Sequence, residues 1–127
     1  MSLSRYKVSA QVAVSDMSRA ASFYEGKLGL SPGEGSRELG RVYPCGDGSA
    51  LHVYVAPDHA GKATGTVARF DVDDIERVVD ELAANGVRFE RYDEPVRTDE
   101  KGIHDSGYGK VAWFKDPDGN SFALELV

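Results

Sequence analysis

The chain lays out one plan twice, and this duplication restricts its possible folds more than any other property of the sequence. Residues 9–30, SAQVAVSDMSRAASFYEGKLGL, read as a strand, an aspartate cap and a helix with apolar Met17, Ala20, Ala21, Tyr24 and Leu28. Residues 67–89, VARFDVDDIERVVDELAANGVRF, repeat the plan, with Ile75, Val78, Val79, Leu82 and Ala83 at the spacing of one helix face. Asp16 and Asp74, 58 residues apart, stand where N-caps are needed, and Gly29 and Gly86 stand where the helices stop. The ends of the halves match as well. DGSALHVY at 47–54 aligns without a gap to DGNSFALE at 118–125, an offset of 71 that makes Glu125 the counterpart of Tyr54.

The offset grows by 13 residues between the two alignments, so the second half carries an insertion. The stretch EPVRTDEKGIHDSGYG, residues 94–109, is polar, glycine-bearing and without periodicity. It reads either as a loop that closes over a ligand or as a plain connection. Each half is expected to run β-α-β-β-β, the first over about 5–57 and the second over about 64–127, within one domain spanning 1–127. A chain of 127 residues is long enough to bury a core without covalent staples.

Strand alternation sorts the first strand into two faces. Val8, Ala10, Val12 and Val14 face the helix, and Lys7, Ser9, Gln11 and Ala13 face away. In the second half Ala68, Phe70 and Val72 face the helix, with Val67, Arg69 and Asp71 opposite. Polar residues on the far face of both strands suggest a concave surface open to a small molecule; ordinary solvent exposure explains a single such strand equally well.

Charge and cysteine content narrow the partners. A net charge of −6 argues against nucleic acid and anionic membrane, which require a basic surface. No apolar run reaches the length of a membrane span. The single Cys45 excludes an internal disulfide and a cysteine zinc site, and fits a cytoplasmic location.

The stretches VAVSDMSRAASFYEGKLGL, FDVDDIERVVDELAANGVRF and above all WFKDPDGNSFALEL, with its DPDGN turn before the terminal strand, resemble the vicinal oxygen chelate superfamily. That superfamily comprises glyoxalases, bleomycin- and fosfomycin-resistance proteins and extradiol dioxygenases. The resemblance implies an α+β fold of two βαβββ modules with pseudo-twofold symmetry, forming a curved mixed sheet cup with helices outside. It also implies a homodimer, and in many members a divalent metal within the cup.

The resemblance places metal ligands at four equivalent positions, which here are Ser9, His52, Val67 and Ala123. Only His52 can coordinate, and a catalytic divalent ion needs about three protein ligands. No metal or other cofactor is therefore expected. Glu125 shares a strand face with Ala123 but lies two residues on, about 7 Å along the strand.

What remains for the cup is Gln11, His52, Tyr54, Arg69, Asp71 and Glu125, with His104 in the inserted segment positioned to close over a ligand. Arg69 is expected to pair with Glu125, leaving a neutral cup for an apolar or aromatic molecule held by Tyr54 and oriented by Gln11 or His52. Three readings follow. The first is metal-independent binding of a small organic molecule without reaction. The second is a metal-dependent lyase, isomerase or dioxygenase of the glyoxalase kind. The third is a metal-free enzyme using His52 or Glu125 as acid or base. For His52 a satisfied strand histidine stands beside the catalytic role, and for Arg69 with Glu125 a purely internal ion pair.

Overall fold

A computed structural model describes residues 2–126. The elements run β1 (Ala10–Val14), α1 (Met17–Ala21) continued by a π-helical segment Ser22–Lys27, β2 (Gly40–Pro44), β3 (Ala50–Val55), β4 (Thr66–Val72), α2 (Ile75–Ala84), β5 (Ile103–Asp105), β6 (Lys110–Lys115) and β7 (Ser121–Leu126). The first module forms a sheet in the order β1-β3-β2, and the second a sheet in the order β4-β7-β6-β5, each with a helix packed on its apolar face. Both N-caps are as expected: Asp16 accepts from the Arg19 amide and Asp74 from the Arg77 amide. Gly29 and Gly86 take the left-handed backbone, at φ 77° and 97°, that ends each helix. Among the described residues no helix is long and apolar enough to cross a membrane.

The duplication extends to strand register. In each module the first strand pairs in parallel with the last. Adding 58 to a β1 position and 71 to its β3 partner yields a β4–β7 pair in every case. Ala10–Leu51 becomes Ala68–Phe122, Gln11–His52 becomes Arg69–Ala123, and Ala13–Tyr54 becomes Asp71–Glu125. The antiparallel pairs follow the same rule, Val42–His52 corresponding to Trp113–Ala123.

Three expectations are corrected. The first module has three strands rather than four: residues 31–38 contain Pro32, Gly33 and Gly35 and make only the Arg37–Gly40 bridge. Proline lacks the amide a ladder needs, and glycine weakens a strand. Val8 does not face the helix but precedes β1 and is 88% exposed, because β3 starts at Ala50 and offers no partner further out. The inserted segment is not all loop, since β5 lies within it and pairs with β6.

The apolar faces of both sheets meet in one core. Val12, Val14, Tyr43, Leu51 and Val53 come from the first sheet, and Ala112, Phe114, Phe122 and Leu124 from the second. Tyr24, fully buried on the π-helical turn, joins them: its ring stacks on Tyr43 at 6.0 Å and meets Phe122 edge-on at 5.9 Å. A buried phenol needs a hydrogen-bond partner, and the Tyr24 hydroxyl donates to Asp116 Oδ2 at 2.6 Å.

Asp116 opens the DPDGN turn, and the turn holds the modules together. The buried Asp116 carboxylate accepts from Tyr24 Oη and from Asn120 Nδ2 on one oxygen, and from the Asp118 and Asn120 amides on the other. Asn120, also buried, donates through Nδ2 to the Ala13 carbonyl of β1 at 2.8 Å and accepts at Oδ1 from the Gly61 amide of the inter-module segment. Asp118 accepts from the amide and hydroxyl of Ser15 and from Arg19. Gly61 lies so close that a Cβ there would run into the Asp118 carbonyl.

Two outcomes follow. Asn120→Ala leaves the Ala13 carbonyl and part of Asp116 unpaired in a buried place, so it costs roughly 2–3 kcal/mol of stability. Asn120→Asp costs more, because a second carboxylate then faces Asp116 and the Ala13 carbonyl. Urea unfolding of both variants gives the order, and an Asn120→Asp protein as stable as Asn120→Ala contradicts it. Burial first, and Asp116 second, raise the Tyr24 pKa above its ordinary 10.0. A raised acid pKa means the folded state keeps the proton while the unfolded chain releases it. The contribution is whole below pH 10 and is lost as pH climbs through and beyond it. Stability should therefore fall above about pH 10, and Tyr24→Phe should show a shallower alkaline decline, read by unfolding at stepped pH.

Candidate functional site

With both apolar faces turned to the shared core, the opposite faces carry the candidate site residues. On the first sheet, Gln11 of β1, His52 of β3 and Val42 of β2 stand in one row; Ala13, Tyr54 and Gly40 stand in the next. Gln11, His52 and Tyr54 line a cavity of about 340 Å³ together with Arg37, Leu39 and Arg41. His52 is half-buried and Tyr54 is 37% exposed.

On the second sheet the corresponding rows are Arg69–Ala123–Trp113 and Asp71–Glu125–Val111–His104. Arg69 holds two carboxylates: Nε lies 2.7 Å from Asp71 Oδ1, and Nη1 lies 2.7 Å from Glu125 Oε2. The expected Arg69–Glu125 pair is present, but its neutrality is not, since the added Asp71 leaves the cluster with net charge −1. The reason is alternation: Asp71 sits two residues from Arg69 on the same strand face. Asp71, and then Glu125, raise the Arg69 pKa above its already high value.

Beside this cluster stands an aromatic wall. Trp113 contacts Tyr92 edge-on at 5.6 Å and the His104 ring at 6.4 Å with a 32° tilt. His104, placed by sequence in a polar loop, belongs to β5; it is half-buried, with Nδ1 2.7 Å from the Arg97 carbonyl oxygen. The segment carrying Tyr92 is fastened along the strand by the Glu90 amide, which donates to the Trp113 carbonyl at 2.8 Å.

The candidates thus fall into two groups. Gln11, His52 and Tyr54 come together on the first sheet, and Arg69, Glu125 and His104 share the open face of the second. Neither Arg69 nor Glu125 lines the cavity that contains His52. Trp113 and Tyr92 were not singled out from the sequence. Trp113 was findable: a turn closing residues 116–120 sets Lys115 opposite Ser121, and two steps along places Trp113 opposite Ala123. Tyr92 has no such signal, because only the path of a long connection brings it to Trp113.

The residues present do not fit the divalent ion that the resemblance implies. Ser9 is exposed and lies outside β1, Val67 sits at the irregularity between Thr66 and Ala68, and Ala123 is a buried methyl between Arg69 and Trp113. Only His52 supplies a donor, and among the described residues no three His, Cys, Asp or Glu side chains converge. Cys45 adds nothing reactive, since burial raises its thiol pKa and keeps it protonated.

Comparison with known proteins agrees with this architecture. Residues 8–124 match the Glyoxalase/Bleomycin resistance protein/Dioxygenase superfamily, and the chain belongs to that family. Among solved structures, a glyoxalase/bleomycin resistance protein from Catenulispora acidiphila is 26% identical, with 95% of this chain and 97% of that one covered and a TM-score of 0.71. A bleomycin-binding protein complexed with bleomycin is 21% identical over 96% and 98%, with a TM-score of 0.70. TnmS3, an antibiotic binding protein from Streptomyces sp. CB03234, is 22% identical over 95% and 96%, with a TM-score of 0.62. No curated protein matches the chain.

Proposed function

We propose that this protein binds a small aromatic molecule, neutral or cationic, without a metal ion, and holds it rather than transforming it. One observation carries the reading. Where the family's metal chemistry needs donors, this chain has Ser9, Val67 and Ala123, and beside Ala123 it has the Trp113–Tyr92 pair and an anionic Arg69–Asp71–Glu125 cluster. An indole face offers stacking area, and a net negative cluster favours cations and disfavours anions. The bleomycin-binding protein and the antibiotic binding protein TnmS3 share the fold, and binding of this kind needs no metal centre in the present chain.

Acid–base catalysis by His52 or Glu125 has less support. Glu125 is paired with Arg69 and more than a third of its side chain is exposed, while His52 is half-buried rather than dry. Gln11, His52 and Tyr54 are better placed to line the opposite wall of a composite pocket. In one chain the cavity beside His52 and the face carrying Arg69 and Glu125 are separate. A homodimer that sets the first sheet of one copy against the second sheet of its partner encloses both, and covers edges that a single small chain leaves free.

The sequence has one tryptophan, so Trp113 fluorescence reports directly on the proposed site. Titration of tag-free protein with bleomycin, and with neutral and cationic polycyclic aromatics, should give saturable changes that EDTA leaves intact, with the compounds recovered unaltered. Trp113→Ala should weaken binding about tenfold by calorimetry, the scale of one aromatic pair plus its buried area. Light scattering at micromolar concentration should give twice the 13.8 kDa chain mass. Binding that requires zinc, nickel or manganese and disappears in His52→Ala would refute the metal-free reading, and a monomer would refute the composite pocket.

A further inference from the structure

Resting on that reading of the second sheet's open face, we infer that His104 is held in a single tautomer by the chain segment it fastens. Its other ring nitrogen is then the acceptor for a hydroxyl or N–H on the edge of an aromatic ligand laid against Trp113. The argument begins with the partner of Nδ1. A backbone carbonyl oxygen has no proton, so the 2.7 Å contact with Arg97 requires Nδ1 to donate. In the neutral ring the lone pair then resides on Nε2. Nothing among the described residues is hydrogen-bonded to Nε2, although the side chain is half-buried.

The Arg97 carbonyl is held in place by bonds on either side. The Tyr92 amide donates to Thr98 Oγ1 at 2.8 Å and the Thr98 amide returns to the Tyr92 carbonyl at 3.0 Å. The Asp99 amide donates to the Ile103 carbonyl, and Asp99 Oδ1 accepts from the Ile103 amide one residue before His104. Tyr92 and His104 therefore flank Trp113 from two ends of one closed segment, and the imidazole orientation follows from backbone bonds rather than from chance rotamers. Asp71 and Glu125 on this face are charged, and each is tied to Arg69 through one oxygen. His104 Nε2 is thus a neutral acceptor next to the stacking surface with no hydrogen-bond partner among the described residues. It selects ligands whose ring carries a donor over otherwise identical rings that do not.

Long-range ¹⁵N–¹H NMR of the wild-type protein at a pH where the ring is neutral reads the tautomer without any variant. The expected result is a protonated Nδ1 and an unprotonated Nε2; the reverse overturns the inference. Binding is then compared for 2-naphthol and 2-methoxynaphthalene, which differ only in the donor. The naphthol should shift the Nε2 resonance and bind at least fivefold more tightly, and His104→Phe should bring the pair within twofold while both still alter Trp113 fluorescence. Equal affinities in the wild type, or a preference that survives in His104→Phe, overturn the acceptor role but leave the binding reading standing. If neither compound alters Trp113 fluorescence or binds by calorimetry, the binding reading itself falls, and the inference with it.

Discussion

A buried carboxylate with four donors holds this fold in one piece. Asp116 has two oxygens and about four lone-pair directions, and Tyr24, Asn120 and two turn amides occupy them. A charge taken out of water is tolerated only when it is satisfied in this way. Among the described residues no buried side-chain nitrogen or oxygen lacks a partner. The consequence reaches beyond the turn. Tyr24 brings the first helix, Asn120 brings β1 through Ala13 and the inter-module segment through Gly61, and Asp118 brings Ser15 and Arg19. Two modules that share little sequence are thereby fixed at one relative orientation, and the positions of their open faces follow from it.

Most of this architecture was legible because duplication turns two ungapped alignments into a register map. The offsets of 58 and 71 name the β4–β7 partners from Ala68–Phe122 onward from the β1–β3 pairs, which no propensity scale could do; only Thr66–Ser121, beyond the register shift, escapes them. The Asp16 and Asp74 caps and the left-handed Gly29 and Gly86 were legible for local reasons, since capping and positive φ depend on a few neighbouring residues. The repeat masks the missing strand of the first module: Pro32, Gly33 and Gly35 argue against a ladder there, and symmetry argues for one. Asp116 itself could be read only as a turn residue, because its link to Tyr24 spans 92 positions.

The site was legible to the extent that strand alternation governs it. Gln11, His52, Arg69 and Glu125 fall on the faces expected of them, because period-two alternation is local. How those faces are distributed was not legible. Nothing in the alternation reveals whether two open faces look at each other or apart. The third member of the ionic cluster illustrates a related limit. Alternation puts Asp71 on the same face, yet pattern alone points only to a pair of Arg69 with Glu125. A guanidinium fork has room for two carboxylates, and its occupancy depends on side-chain reach rather than on pattern.

The equivalent rows of the two modules show how one scaffold comes to carry different chemistry. Register makes Gln11, His52 and Val42 the counterparts of Arg69, Ala123 and Trp113. The core-facing pairs stay apolar in both halves, Val12–Val53 against Phe70–Leu124, because each must fill the same interior. The outward pairs carry no such packing constraint. Exchanging a histidine for an alanine there removes a donor but leaves the ladder and the core intact. A methyl at 123 also frees the space beside Trp113 that a longer carboxylate would occupy. On the proposed reading, the missing donor and the open stacking surface trace to one residue, on the face that does not pack the shared core.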